Sequence, residues 1–233
     1  MLSAEKIIEN LVHLFYPHQC NGCGSDTLLK EQLLCYRCLH HLPKTQLQNI
    51  AGNPVEKVFA GRLPIHAAHG EFFFTKGKLI QSLLHQIKYK GNRQLGICLG
   101  EMLGVSLLSS SRFSDIDAII PVPMLQKKER DRGYNQATVI SKGIQKITGI
   151  PIVENLIIRN KRTTTQTKKS RFERWQNVKD TFEISLSEAY NGKHLLIVDD
   201  VLTTGATIEA CGSTLMKIPE IRISLAILAF ATK

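Results

Sequence analysis

The sequence predicts an α/β domain built on a mainly parallel sheet and preceded by a small four-cysteine module. Three observations lead to this fold class. After residue 65, short apolar segments alternate with amphipathic stretches, as strands and helices do around a parallel sheet. Residues 195–198 form a continuous apolar run, which suits a strand buried on both faces. Two Cys-x2-Cys pairs stand near the N-terminus.

Length and composition fit a folded protein of the cytoplasm. The chain has 233 residues, of which 43% are apolar and 21% are charged. This length allows one domain of roughly 150–200 residues plus a small appendage. No apolar run approaches the roughly 20 residues that cross a bilayer. The N-terminus lacks the basic start, apolar middle and cleavage site of a signal peptide. We therefore expect a cytoplasmic protein without membrane insertion.

The chain divides into four predicted parts. Residues 1–15 hold an amphipathic helix at 3–15, residues 16–43 the cysteine module, residues 44–64 an irregular linker, and residues 65–233 the α/β domain. In that domain, strands are predicted at 66–74, 116–120, 152–158, 195–198 and 223–230. Helices are predicted from a cap at Thr75 to Gly91, and at 92–110, 134–147 and 207–217, with a polar basic loop at 159–177.

The most informative stretch is the strand, turn and helix at residues 195–217. Two acids, Asp199 and Asp200, follow the apolar run, and the turn before the helix consists of Thr203, Thr204, Gly205, Ala206 and Thr207. Free N–H groups at the start of a helix can hold a phosphate, and glycine lets the backbone approach the anion. The carboxylates stand where a ribose on that phosphate would present its hydroxyls. The alternatives are an acidic strand end with a threonine-rich cap, or a metal-binding strand end.

This spacing resembles the phosphoribosyl pyrophosphate (PRPP) signature of type I phosphoribosyltransferases. The resemblance implies that fold, a PRPP ligand with Mg²⁺, a loop that binds pyrophosphate, and a flexible basic hood over the site. The segment 121–123 (Pro-Val-Pro) ends a predicted strand, as a pyrophosphate loop should, and Arg130 and Arg132 follow it with guanidinium groups that pair with phosphate. Arg171 and Arg174 belong to the candidate hood, residues 159–177, which could instead be a disordered basic connection.

The four clustered cysteines predict a structural zinc site. Cys20, Cys23, Cys35 and Cys38 form two Cys-x2-Cys pairs separated by 11 residues. Each pair offers two thiolates, and four thiolates close a tetrahedral sphere without an open position for water. Such a site stabilises a module too small to fold alone. A pair of disulfides is the alternative, and the missing export signal disfavours it.

The formal net charge of +10 is concentrated in one part of the chain. Residues 120–180 hold 14 Lys and Arg against 5 Asp and Glu. Such a concentration suits a polyanionic partner, either a phosphorylated small molecule or nucleic acid. The alternative is a solvated basic face that keeps the protein soluble.

Together these segments resemble the ComF family of bacterial competence proteins over almost the full length. The resemblance rests on the cysteine module, on 87–91 (Ile-Lys-Tyr-Lys-Gly), on 121–123 with 130–136 (Arg-Asp-Arg-Gly-Tyr-Asn-Gln), on 165–178 and on the acidic loop at 199–207. It implies a zinc-ribbon-like front piece joined to a phosphoribosyltransferase fold, and a role in DNA uptake. It also implies action with a helicase-like partner on single-stranded DNA. Tyr134 stands where phenylalanine is common, which keeps the aromatic ring.

Two classes of function stay open at this point. As an enzyme, the protein would bind PRPP with Mg²⁺ and displace pyrophosphate from C1 of the ribose, with Asp199 and Asp200 as the catalytic pair; the residues identify no acceptor. As a binding module, it would sense PRPP or a nucleotide without turnover and hold single-stranded DNA. Lys88, Tyr89 and Lys90 combine charge with an aromatic ring, as single-strand grooves do, although core packing would also explain Tyr89.

Overall fold

The computed structural model describes residues 18–26, 28, 32–75, 77–159, 182–185 and 188–231. The helix predicted at 3–15 and nearly all of the candidate hood lie outside the described residues. No helix in the described part of the chain is long and apolar enough to span a membrane.

Helices and strands alternate along most of the described chain. The helices are α1 (Tyr36–His40), α2 (Pro54–Lys57), α3 (Leu79–Tyr89), α4 (Arg93–Leu108), α5 (Gln126–Arg132), α6 (Gln136–Thr148) and α7 (Ala206–Leu215). The strands are β1 (Ala67–Phe73), β2 (Ala118–Pro121), β3 (Ile157–Arg159), β4 (Phe182–Ile184), β5 (His194–Leu202) and β6 (Arg222–Phe230). Two short 3-10 turns span Ser111–Phe113 and Glu188–Tyr190.

The main sheet is parallel, as the sequence predicts. Its strand order is β1-β6-β5-β2, and all three strand pairs run in the same direction. β3 and β4 form a separate antiparallel ribbon. Because the strands of the main sheet are parallel, their carboxyl ends meet at one edge, which is where open α/β folds bind ligands. The predicted fold class is therefore confirmed.

Helices cover both faces of the sheet, and α4 and α6 approach each other very closely. A Cβ atom on Gly100 would collide with the carbonyl of Ile140, and one on Gly143 would collide with the carbonyl of Ile97. Only glycine fits at these two positions, since the two backbones nearly touch. The close contact fixes the position of α6, which follows β2 and α5 in the chain.

Three predicted boundaries need correction. Thr75 does not cap α3, because Lys78 is its N-cap and Gly77, with φ of 71°, turns the chain just before it. Residues 152–158 are not one strand: Ile152 makes a single bridge to Ile119 beside β2, and the chain bends before β3 pairs with β4. β5 continues to Leu202, four residues beyond the predicted end, because it pairs with β6 along that length.

Residues 44–64 pack against the sheet rather than running free. Asn53 caps α2, its Oδ1 accepting a hydrogen bond from the Val55 N–H at 2.9 Å. Val55, Phe59 and Leu63 are buried in the core on that face of the sheet. Glycine and proline predicted an irregular linker, whereas the apolar spacing of these three residues was the signal for a packed segment. The four-part division of the chain stays a prediction.

Candidate functional site

The predicted ribose phosphate site lies where β5 ends and α7 begins. β5 has an inner position in the sheet, between β6 and β2, and carries Asp199 and Asp200 near its carboxyl end. The chain then turns through Thr203 and Thr204, both exposed, and α7 begins after Gly205. The N–H groups of the first helical turn have no partner within the helix, so they can donate to an anion. The Ala206 N–H makes a long hydrogen bond of 3.5 Å to Thr204 Oγ1.

Gly205 gives this turn its shape. Its φ of 76° lies in the left-handed region, which favours glycine. A Cβ here would lie 2.9 Å from Cε1 of Phe59 and 3.1 Å from Cγ1 of Val58. Since Phe59 is fully buried, its ring cannot move aside. The segment 44–64 therefore forms the support beneath the turn.

Arg62, which the sequence analysis did not select, holds the turn from the same side. Its Nη1 donates to the Thr204 carbonyl at 2.9 Å, and its Nε donates to Glu209 Oε2 at 3.0 Å. One guanidinium thus joins the turn to the first part of α7. No sequence signal pointed to Arg62, because its partners lie about 140 positions further along the chain.

The two aspartates differ in their surroundings. Asp199 Oδ1 accepts a hydrogen bond from the Asp200 N–H at 2.8 Å. Burial raises the pKa of Asp199 to about 7, and the negative charge of Asp200 adds to the increase. Asp200 instead forms an ion pair with Lys88, whose Nζ lies 3.0 Å from its Oδ2. Asp199 therefore ionises near neutral pH, next to a carboxylate that is paired with a lysine.

The end of α3 reaches this site, as the Lys88 prediction requires. Tyr89, which follows Lys88, is 68% exposed, which excludes packing of its ring in the core. The Tyr89 ring lies 4.9 Å from the His85 ring and 5.4 Å from the guanidinium carbon of Arg132. Lys90 is exposed at the C-cap of α3. An aromatic ring in contact with a guanidinium and an imidazole thus stands next to the predicted ribose phosphate site.

The segment 130–136 connects α3 to the loop after β2. The Tyr134 hydroxyl donates to the Ile87 carbonyl. Asn135 caps α6 by accepting from the Ala137 N–H at 3.0 Å, and its Nδ2 donates to the Val122 carbonyl at 3.0 Å. The candidate pyrophosphate loop, 121–123, is therefore fixed by a side chain of this motif.

The basic residues predicted to bind pyrophosphate have different positions. Arg130 is exposed on α5, a helix that the sequence analysis did not predict. Arg132 is partly buried and donates to Gln136 Oε1. Arg171 and Arg174 lie outside the described residues. The phosphate contacts of these four arginines stay predictions.

A cleft of about 200 Å³ lies beside the end of β2. Pro121, Asn135, Glu154 and Arg159 are among its lining residues. The positive charge of Arg159 acts to lower the pKa of Asp199, against burial. The space lies between the candidate pyrophosphate loop and the β3–β4 ribbon.

The four cysteines form one cluster whose geometry fits zinc. Their Sγ atoms all lie within 4.8 Å of one another, and none of the four is in a disulfide. A Zn–S bond of about 2.3 Å in a tetrahedron places sulfurs roughly 3.8 Å apart, and Cys23 Sγ lies 3.7 Å from Cys35 Sγ. Burial opposes ionisation of Cys20, but N–H donors from Cys35, Cys23 and Gly22 lower its pKa to about 6. The cluster can therefore hold a metal such as zinc.

Comparison with known proteins connects this chain to competence proteins and to phosphoribosyl transferases. Residues 121–232 match the phosphoribosyl transferase domain family. Competence protein F of Haemophilus influenzae is 27% identical over 203 residues, covering 85% of this chain and 79% of that protein. DNA utilization protein YhgH of Escherichia coli O157:H7 is 30% identical over 138 residues, covering 58% of this chain and 60% of that protein. Competence protein ComFC of Bacillus subtilis (strain 168) is 22% identical over 149 residues, covering 62% and 56%. The match thus spans less than two thirds of the length of YhgH and of ComFC.

Proposed function

We propose that this chain, which belongs to the ComF family of competence proteins, binds PRPP or ribose 5-phosphate with Mg²⁺ and acts in DNA uptake during natural transformation. The part in DNA uptake is supported by relatives named as competence and DNA utilization proteins. The ligand proposal is supported by the geometry of the site at the end of β5.

One observation carries the ligand proposal: an acidic pair and a glycine turn that leads into a helix lie three residues apart at the carboxyl end of an inner strand. Gly205, in the left-handed region, is the N-cap of α7, and the N–H groups of the first helical turn have no acceptor within the helix. The turn is held by Phe59 below and by Arg62 at its side. A preorganised cradle binds an anion more tightly than a loop that must be ordered on binding.

Each part of the site has a role in this proposal. The N–H groups and hydroxyls of the turn at 203–207 hold the 5′-phosphate, and Asp199 and Asp200 accept hydrogen bonds from the ribose hydroxyls. Carboxylate oxygens are also the ligands that Mg²⁺ prefers, and the ion would neutralise charge on the pyrophosphate. Lys88, Lys90, Arg130, Arg132 and the candidate hood with Arg171 and Arg174 would pair with the pyrophosphate oxygens.

Turnover would follow if an acceptor reaches C1 of the bound ribose. Displacement of pyrophosphate would then depend on orientation and on charge stabilisation by these basic groups. The 200 Å³ cleft between the candidate pyrophosphate loop and the β3–β4 ribbon is a candidate place for an acceptor to enter. A pyrophosphate-release assay with Mg–PRPP and candidate acceptors tests this, and Asp200→Asn should abolish the release.

Calorimetry with Mg–PRPP tests binding directly. Asp200→Asn removes a charge that hydrogen-bonds the ribose, and such bonds contribute about 1.5–3 kcal/mol, so we expect roughly tenfold to hundredfold weaker binding. Glu101→Gln is the matched control, because Glu101 pairs with Lys146 at 2.6 Å on the surface of α4 and α6. No saturable binding by the wild-type protein, or equal loss in both variants, would refute the ligand proposal.

A second candidate function is a non-catalytic sensor of PRPP or a nucleotide that also holds single-stranded DNA for a competence helicase. The exposed Tyr89 ring, flanked by Arg132 and His85, favours it. Stacking of a base contributes about 1–3 kcal/mol, so Tyr89→Ala should weaken single-strand binding by roughly fivefold to a hundredfold. The affinity should also fall steeply as salt rises. A flat salt dependence would argue against this function.

A further inference from the structure

We propose that the cysteine module positions Lys88 in the ribose phosphate site, through hydrogen bonds from the ends of α3 and α4 to Asn21. The module would then be part of the ligand site rather than a separate fold-stabilising piece. This inference rests on the proposed function, because it concerns how the same site holds its ligand.

Asn21 lies between two zinc-ligand candidates and is bonded to both helices. Gln86 Nε2, on α3, donates to the Asn21 carbonyl at 2.6 Å. Asn92 Nδ2 donates to Asn21 Oδ1 at 2.8 Å, while Asn92 Oδ1 caps α4 by accepting from the Leu95 N–H at 3.1 Å. The first cysteine turn is thus joined to the end of one helix and to the start of the next.

Packing at Gly22 makes this contact tight. A Cβ atom there would lie 2.6 Å from Cys38 Sγ and 2.9 Å from Cδ1 of Leu79, which is the first residue of α3. The cysteine turn therefore touches α3 at both of its ends, near Leu79 and at Gln86. A helix held at two points cannot slide along the module.

Four consecutive residues at the end of α3 have partners in different parts of the protein. Gln86 contacts the cysteine turn, the Ile87 carbonyl accepts from Tyr134, Lys88 pairs with Asp200, and Tyr89 lies against Arg132. The lysine is the member of this series that reaches the acidic pair. Asp200 lies on β5, in the sheet, so the ion pair with Lys88 forms only if this end of α3 is correctly placed.

The position of that helix end matters because charge contacts depend on distance. Misplacement of a positioned group by about 1 Å can cost a large factor in function. The Lys88 side chain is long and flexible, and the structure leaves it only a quarter exposed. The cysteine turn and the 130–136 motif hold its backbone from two sides, which limits the arrangements that the side chain can take.

Binding measurements on zinc-loaded, full-length protein test this inference. Gln86→Met removes the donor to Asn21 and keeps the side-chain length; Asn92→Asp removes the second donor and keeps the oxygen that caps α4. Gln94→Met, at an exposed position of α4, is the matched control. Each change is made in the wild-type and in a Lys88→Met background, and the dissociation constant for Mg–PRPP is measured by calorimetry, with zinc content and melting temperature checked in parallel.

Coupling to Lys88 is the readout that a general loss of stability would not produce. We expect Gln86→Met and Asn92→Asp to weaken Mg–PRPP binding by about threefold to tenfold in the wild-type background and by less than about twofold once Lys88 is replaced, as interacting residues do. The control should change nothing. Equal weakening in both backgrounds, or unchanged binding by both zinc-loaded variants, overturns the inference while leaving the proposed function standing. Wild-type protein that binds no Mg–PRPP overturns both.

Discussion

Replacing Gly205 by alanine should destabilise the protein through two separable effects. The φ of 76° places the new Cβ in the left-handed region, which costs about 1–2 kcal/mol for a residue with a side chain. The same Cβ would lie 2.9 Å from the ring of the fully buried Phe59, and overpacking of this kind costs about 1–3 kcal/mol. The sum is about 2–5 kcal/mol, which is a large part of the stability of an ordinary domain.

Gly149→Ala separates the two effects. Gly149 ends α6 with φ of 74°, and a Cβ there would have no heavy atom within 4 Å. It therefore carries the backbone cost alone, about 1–2 kcal/mol. Urea unfolding of both variants at one pH gives the difference, which we expect to be about 1–3 kcal/mol. Equal destabilisation by the two variants would show that Phe59 does not press on the turn at 203–207, and the claim that residues 44–64 support this turn would fail.

Three further predictions concern pH and metal. Burial raises the pKa of Asp199 from 3.8 to about 7, so its negative charge appears only as pH rises through that value. The affinity for Mg–PRPP should therefore increase between about pH 6 and 8. Asp199→Asn should remove this increase. Burial lowers the pKa of His194, although the Asp115 carboxylate acts to raise it. The stability that the neutral ring contributes is therefore present above about pH 6.5 and is lost as pH falls. The free energy of urea unfolding should drop from pH 7 to 5, and the drop should be smaller in His194→Gln. Purified protein kept from chelators should carry about one equivalent of zinc, and a content below about half an equivalent would remove the zinc assignment.

The parts of the fold that follow from local sequence could be predicted, and those that follow from long-range contact could not. The apolar run at 195–198 predicted an inner parallel strand, and the cysteine spacing predicted the cluster that the structure shows. The full length of β5 could not be predicted, because Asp199 and Asp200 are residues that strands disfavour. Pairing with β6 nevertheless keeps this part of the chain extended. Residues 152–158 were predicted as one strand although Glu154 and Asn155 divide the apolar residues into two groups. The chain bends at these polar residues, and the two groups pair with different partners.

The same distinction separates the proposed ligand-binding residues from those that hold them in place. Asp199, Asp200 and the turn at 203–207 lie in one short segment of the chain, so their chemistry can be predicted from that segment alone. Arg62 and Asn21 form hydrogen bonds with residues far away in sequence. No motif or spacing in the sequence marks either residue.

The segment 87–91 lies between these two cases. Its Lys-Tyr-Lys pattern predicted a charged and aromatic surface, and Tyr89 is indeed exposed beside Arg132. That Lys88 pairs with Asp200 could not be predicted, because it requires α3 to end in front of the carboxyl edge of β5. Two contacts set where that helix ends: Gln86 Nε2 donates to the Asn21 carbonyl, and the Tyr134 hydroxyl donates to the Ile87 carbonyl. The cysteine module and the 130–136 motif, which look like independent signatures in the sequence, therefore meet at the lysine that faces the acidic pair.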